Sequence, residues 1–173
     1  MLVATANQTI GPYWHLIEDP TWADLTRFGA DGDKIVLTGT VVDGGGTLVS
    51  DAAIEIWQTS PPASELFPAF GRCRTDAAGS FRFITLKPGP VAGLGNAQQA
   101  PHVAISIFAR GLLKALTTRL YFADEPLNET DPVLSLIEDP DRRRTLIAHK
   151  VSADTWHLDI RLQGANETVF MEI

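Results

Sequence analysis

Residues 155–164, TWHLDIRLQG, alternate without a break: Trp156, Leu158, Ile160 and Leu162 on one side, His157, Asp159, Arg161 and Gln163 on the other. A period of two marks a strand with one face buried. The same alternation, or a β-branched and aromatic run, recurs at 35–43 (IVLTGTVVD), 52–58 (AAIEIWQ), 80–87 (SFRFITLK), 102–110 (HVAISIFAR) and 115–122 (ALTTRLYF). TVFMEI at 168–173 follows a short turn and is expected to pair with the strand before it. Gly44-Gly45-Gly46 and TDAAG, with Asp76 and Gly79 placed for a type I turn and a left-handed glycine, supply hairpin turns. Strands joined by connections too short for crossover helices predict an all-β fold, an antiparallel β-sandwich.

Helical signals are confined to one late excursion. Asp131-Pro132 and Asp139-Pro140 each read as an N-cap followed by a first-turn proline, so two short helices are expected there. Residues 1–34 have no strand pattern and form an N-terminal arm, expected to contact a partner subunit; 35–173 form a single β-sandwich domain. The arm carries Tyr13 and Trp14 beside Gly11-Pro12. Two large aromatics need something to pack on, either the chain's own sandwich or a neighbouring subunit. The residues leave both open.

Charge excludes some partners. A net charge of −7 over 173 residues argues against nucleic acid and against an anionic membrane face. No stretch approaches the roughly 20 apolar residues of a membrane helix, and the first residues lack the basic and apolar regions of a signal peptide. The single Cys73 cannot form an internal disulfide, which points to a reducing, cytoplasmic setting. Flanking Arg72 and Arg74 could lower its pKa, although a bystander thiol in a strand is the plainer reading.

Catalytic motifs fail in turn. No G-x-S-x-G occurs, Cys73 has no readable histidine partner, and the triple glycine precedes no helix. The four histidines, His15, His102, His149 and His157, show no ligand spacing. His157 lies on the polar face of a strand, and His149 is expected to end a basic helix. His102 differs, because it opens a strand after the long loop KPGPVAGLGNAQQAP. Its same-facing neighbour is Ala104, which cannot ligate a metal.

Several stretches together carry a resemblance: TIGPYW, IEIWQ, TDAAGSFRFITLKPGPV, APHVAISIFARG, TRLYFADE, DPDRRRTLIA and LDIRLQGANETVF, in order from Gln8 to Phe170. The chain resembles the intradiol ring-cleavage dioxygenases. That family implies a non-haem Fe(III) held by two tyrosinates and two histidines. Phenolate oxygen suits a hard trivalent ion, which displaces the phenol proton. The resemblance puts one tyrosine directly after KPGP, where Val91 stands, and the histidines at His102 and Ala104. It puts the second tyrosine in the loop after the WQ strand, where TSPPASELFPAF has none. Tyr13 and Tyr121 belong to other motifs.

With three of the four donors missing, the resemblance implies an iron-free subunit with no catalytic residue of its own. Val91, His102 and Ala104 are then degenerate ligand positions. The Fe(III) would reside in a homologous beta subunit, and protocatechuate would be cleaved with O₂ at the interface of the two chains. This chain would lend that pocket Thr9, Gly11, Pro12, Tyr13 and Arg119 as substrate-binding residues. A purely structural scaffold subunit and a stand-alone β-sandwich binding module remain as alternatives.

Overall fold

A computed structural model of the chain describes Ile10, Gly11 and residues 13–172. The fold is all-β. Its strands are β1 Lys34–Val42, β2 Ala53–Trp57, β3 Phe70–Arg74, β4 Ser80–Leu86, β5 Val91–Ala92, β6 Gln98–Gln99, β7 His102–Phe108, β8 Leu116–Phe122, β9 Ile147–Lys150, β10 Thr155–His157 and β11 Ile160–Arg161. Hydrogen bonds link them in the order β11-β1-β10-β9-β8-β7-β2-β3, with β4 also on β1 and β5–β6 as a separate small hairpin. Because β4 packs against β3 as well, the sheet curls until it nearly closes into a barrel.

Three pairings depart from a purely antiparallel arrangement: β1 with β10, β1 with β11, and β8 with β9 are parallel. A parallel neighbour needs a long crossover. For β8 and β9 that crossover is the late excursion, which therefore has a topological reason to exist. It contains the α-helix α1 (Pro140–Arg144) and two 3₁₀ turns, Pro126–Glu129 and Leu134–Leu136. Of the two Asp-Pro signals, Asp139-Pro140 caps a helix as expected, whereas Asp131-Pro132 forms a turn ahead of a 3₁₀ segment whose N-cap is Val133. Asp139 accepts the Asp141 amide at 2.8 Å with Pro140 in the first turn, and Asp131 accepts the Val133 and Leu134 amides at 2.8 Å each.

Two expected strands change. TWHLDIRLQG is divided into β10 and β11, which keep one register against β1. The break falls where the Leu158 carbonyl comes against Gly39; a Cβ there would lie 2.2 Å from that oxygen and 2.3 Å from the Phe81 ring. The alternation still reports burial correctly, since Trp156, Leu158 and Ile160 all lie in the core. TVFMEI is no regular strand. The Thr168 amide bonds Arg161 at 3.0 Å, but Met171 turns to bridge Thr117.

Four strands escaped the sequence pattern: the two-residue β5 and β6, inside the stretch read as a long loop, and β3 and β9. In β3, Gly71 and Cys73 face inward while Phe70, Arg72 and Arg74 face out, and glycine with arginine reads as loop. Gly71 is required because Leu25 and the Trp22 carbonyl press on it; a Cβ would meet them at 2.5 and 2.8 Å. In β9, His149 pairs with His157 of β10, so it lies on a strand rather than at a helix end. Cys73 points into the core, and burial pushes its thiol up to about 12, opposite to the effect expected of its arginine neighbours.

The arm divides. Leu25 joins the main core and Trp14 is buried, while a 3₁₀ turn at Pro20–Ala23 lies on β3 and β4. Tyr13, Leu16 and Ile17 are 72%, 72% and 70% exposed. A second, smaller apolar cluster of Ala100, Tyr121, Leu134 and Leu146 sits under the excursion. The entry to the long loop is clamped by Lys87. Its ammonium lies 3.9 Å from the Phe122 ring centre and 4.4 Å from that of Trp156, with Asp124 at 3.3 Å and Glu125 at 3.1 Å.

Candidate functional site

Strands β7 and β8 pair antiparallel with His102 opposite Tyr121 and Ala104 opposite Arg119. Core residues of these strands, Val103, Ile105 and Leu120, occupy the other face, so His102, Ala104 and Arg119 share the outer one. The long loop folds back as the β5–β6 hairpin and sets Val91 opposite Gln99. The fold thus brings together the three degenerate positions named from sequence, and adds Gln99, Arg119 and Tyr121 to them.

These side chains are tied to one another. Arg119 Nη1 donates to Gln99 Oε1 at 2.7 Å and to the Tyr121 hydroxyl at 3.2 Å. Tyr121 in turn donates to Asp131 Oδ1 at 3.3 Å, and the Ala100 amide donates to Asp131 Oδ2 at 2.8 Å. Asp131 is fully buried, which it tolerates because three backbone amides and a phenol share its charge. His102 donates its Nδ1 proton to the Ala100 carbonyl at 2.8 Å and packs on the Tyr121 ring at 5.4 Å. Burial lowers the His102 pKa, the Ala100 carbonyl opposes this, and Arg119 adds to it. Burial pushes the Tyr121 hydroxyl up to about 12 against the opposing pull of Arg119.

A ferric ion does not fit this donor set. Valine and alanine offer no lone pair, the phenol of Tyr121 is protonated and committed to Asp131, and a guanidinium stands among them. The segment after β2 contributes no tyrosine, and Trp57, beside Ala104 on the outer face, is 50% exposed.

The other end of the same hairpin is open. Gly11, at φ +78°, enters a cleft of about 290 Å³ together with Trp14, His15, Asp51, Arg74 and Arg110. Arg110 ion-pairs with Asp51 and remains 73% exposed, and the Arg74 amide bonds Glu18 at 3.1 Å. Tyr13 is exposed next to it, while Thr9 and Pro12 lie outside the described residues. Among the described residues, Ile10, Gly11, Trp14 and His15 of the arm line this cleft with Arg110 and Arg74. Arg119 sits opposite Ala104, four strand residues from the Phe108 end of β7, about 13 Å away. Arg110 closes the IFARG stretch just before Gly111, but nothing in the linear sequence shows that residue 11 folds against it.

The remaining histidines stay structural. His157 bonds Thr38 at 3.0 Å and Asp159 at 2.9 Å, with the His149 ring 5.3 Å away.

A nearly closed all-β sheet that carries a histidine on the strand after a KPGP loop has the layout of the ring-cleaving, iron-dependent dioxygenases. A family profile described as Dioxygenase matches residues 12–164, and the chain belongs to that family. It is 41% identical to the protocatechuate 3,4-dioxygenase alpha chain of Pseudomonas putida over 99% of its own length and 98% of that chain's. The alpha chain from Burkholderia cepacia is 36% identical over the same shares. The beta chain of the Burkholderia enzyme is 32% identical over 79% of this chain and 67% of that one. Among solved structures, the dioxygenase domain of a carbohydrate-binding fusion from Streptomyces sp. SirexAA-E superposes with a TM-score of 0.64 at 26% identity, covering 92% of this chain and 97% of that one. No helix among the described residues is long and apolar enough to cross a membrane.

Proposed function

We propose that this chain is the iron-free subunit of a cytoplasmic heteromeric intradiol dioxygenase, paired as a β-sandwich with a homologous beta chain that holds the Fe(III). The assembled enzyme opens protocatechuate between its two hydroxylated carbons. Both atoms of O₂ enter the product, 3-carboxy-cis,cis-muconate. One observation carries the reading: a chain that matches an alpha chain over nearly its whole length has a ligand frame without its donors.

The contribution of this chain is a piece of pocket wall. The open cleft supports Gly11, Tyr13 and Arg110 in that role, with Thr9 and Pro12 beside them in sequence. An exposed guanidinium can face the substrate carboxylate, a charge-assisted contact worth about 1.5–3 kcal/mol, or roughly tenfold to a hundredfold in binding. Arg119 is less suited, because it is partly buried and its Nη1 is already tied to Gln99 and Tyr121. The exposed Tyr13, Leu16 and Ile17 support contact between the arm and the partner chain.

Co-expression of the full chain with a beta chain tests the proposal. The expected outcome is one iron per pair, tyrosinate-to-iron colour and protocatechuate-dependent oxygen uptake only when both chains are present. Ferric colour in this chain purified by itself sinks it.

A further inference from the structure

We propose that Arg119 is a resident counter-cation: its guanidinium takes the electrostatic place of a metal in the frame of Val91, His102 and Ala104 and keeps that frame closed to metal ions. The inference rests on the reading of this chain as iron-free and explains how it stays so.

The geometry supports a built-in cation rather than a stray side chain. Arg119 stands opposite Ala104, whose methyl leaves room for the arginine stem, and its head reaches two residues along the strand to the Tyr121 hydroxyl at 3.2 Å. The contact to Gln99 at 2.7 Å ties that head to the residue opposite Val91. Through Tyr121 it connects to Asp131, a fully buried carboxylate. A buried anion is kept ionised by opposite charge and by donors, and a metal or a guanidinium serves equally well there. Guanidinium cannot be deprotonated in a protein, so the charge is permanent.

The same charge acts on any metal that approaches His102. Repulsion grows with the product of the charges, so it weighs most against a trivalent ion. Missing donors weaken binding, and the arginine opposes it actively. Restoring donors is therefore insufficient by itself.

The test uses the full chain assembled with a beta chain and reads iron per pair. Val91→Tyr with Ala104→His restores two donors beside His102 and is expected to leave the ratio at that of the unaltered complex. Adding Arg119→Gln is expected to raise ferric affinity of this chain at least tenfold, with new tyrosinate-to-iron absorption. Arg119→Lys in its place keeps the charge and is expected to keep the site closed. The inference is overturned if the donor pair alone binds iron as well, if Arg119→Gln adds nothing, or if Arg119→Lys opens the site. Where the change at Val91 prevents assembly, Ala104→His with and without Arg119→Gln gives the same comparison with cobalt(II). Iron on the unaltered chain itself would instead defeat the reading of the chain as iron-free, a separate result.

Discussion

Two arginines mark the two ends of the β7–β8 hairpin, and their surroundings differ in every respect that matters for recognition. Arg110, at the turn end, is 73% exposed, faces a cleft and shares its charge with one carboxylate, Asp51. Arg119, at the far end, is partly buried and bonded to Gln99 and Tyr121, with Asp131 behind them. A partly buried guanidinium with one nitrogen tied to two groups of its own chain is less open to a neighbour's substrate than an exposed one at a cleft. One end of the hairpin is thus a hydrogen-bonded cluster around a buried carboxylate and the other an exposed cleft.

The largest expected effect is at the closed end. Asp131→Ala removes the acceptor for three backbone amides and the Tyr121 hydroxyl, to which Arg119 is bonded in turn. We expect a loss of about 3–5 kcal/mol, read as a steep fall in the thermal midpoint. A variant as stable as the parent means the closed end is not a structural centre, and the comparison breaks. Next, Arg110→Ala in the assembled enzyme is expected to raise KM for protocatechuate about tenfold or more, with iron content and midpoint unchanged. Arg119→Met is expected to do the reverse: about 1–2 kcal/mol of stability lost with its two hydrogen bonds, and a smaller change in KM than Arg110→Ala causes. Equal KM changes at both arginines would return Arg119 to the substrate wall.

The smallest effect is a pH dependence. His102 is held below its ordinary value of 6.5, chiefly by burial, so the unfolded chain takes up a proton that the folded chain resists. Its contribution to stability is therefore complete above about 6.5 and is lost as pH falls from there through the lowered folded value. Unfolding midpoints measured down this range should decline, and His102→Gln should flatten that part of the curve. An unchanged slope would mean that His102 is open to water and that the closed end is less sealed than its contacts indicate.

Much of this was legible in the linear chain, for reasons that can be named. Alternation marked Trp156, Leu158 and Ile160 as core because burial on one face of a strand imposes a period of two. The Asp-Pro pairs marked both turns of the excursion because capping is local. That Ala104 stands where a second histidine ligand would be came from the family resemblance and not from the spacing itself. Other features were not legible. β3 carries Gly71 only because Leu25 lies on it, a constraint set by a residue 46 positions away. TVFMEI has a strand pattern and starts beside the edge strand β11, yet after the Thr168–Arg161 bond Met171 bridges Thr117 instead. The plainer reading of Cys73, a bystander thiol in a strand, holds: alternation sends both arginines outward while the thiol goes into the core.

Taken alone, the order of residues determined the all-β class and the local caps of the excursion, because strand periodicity and caps depend on neighbours one to four positions apart. The metal-donor positions came only with the family resemblance. Which arginine faces the arm, and which is locked beside Asp131, was decided only when distant segments packed together. An arginine's chemistry is identical at positions 110 and 119; what differs is the set of acceptors that folding places within reach of each guanidinium.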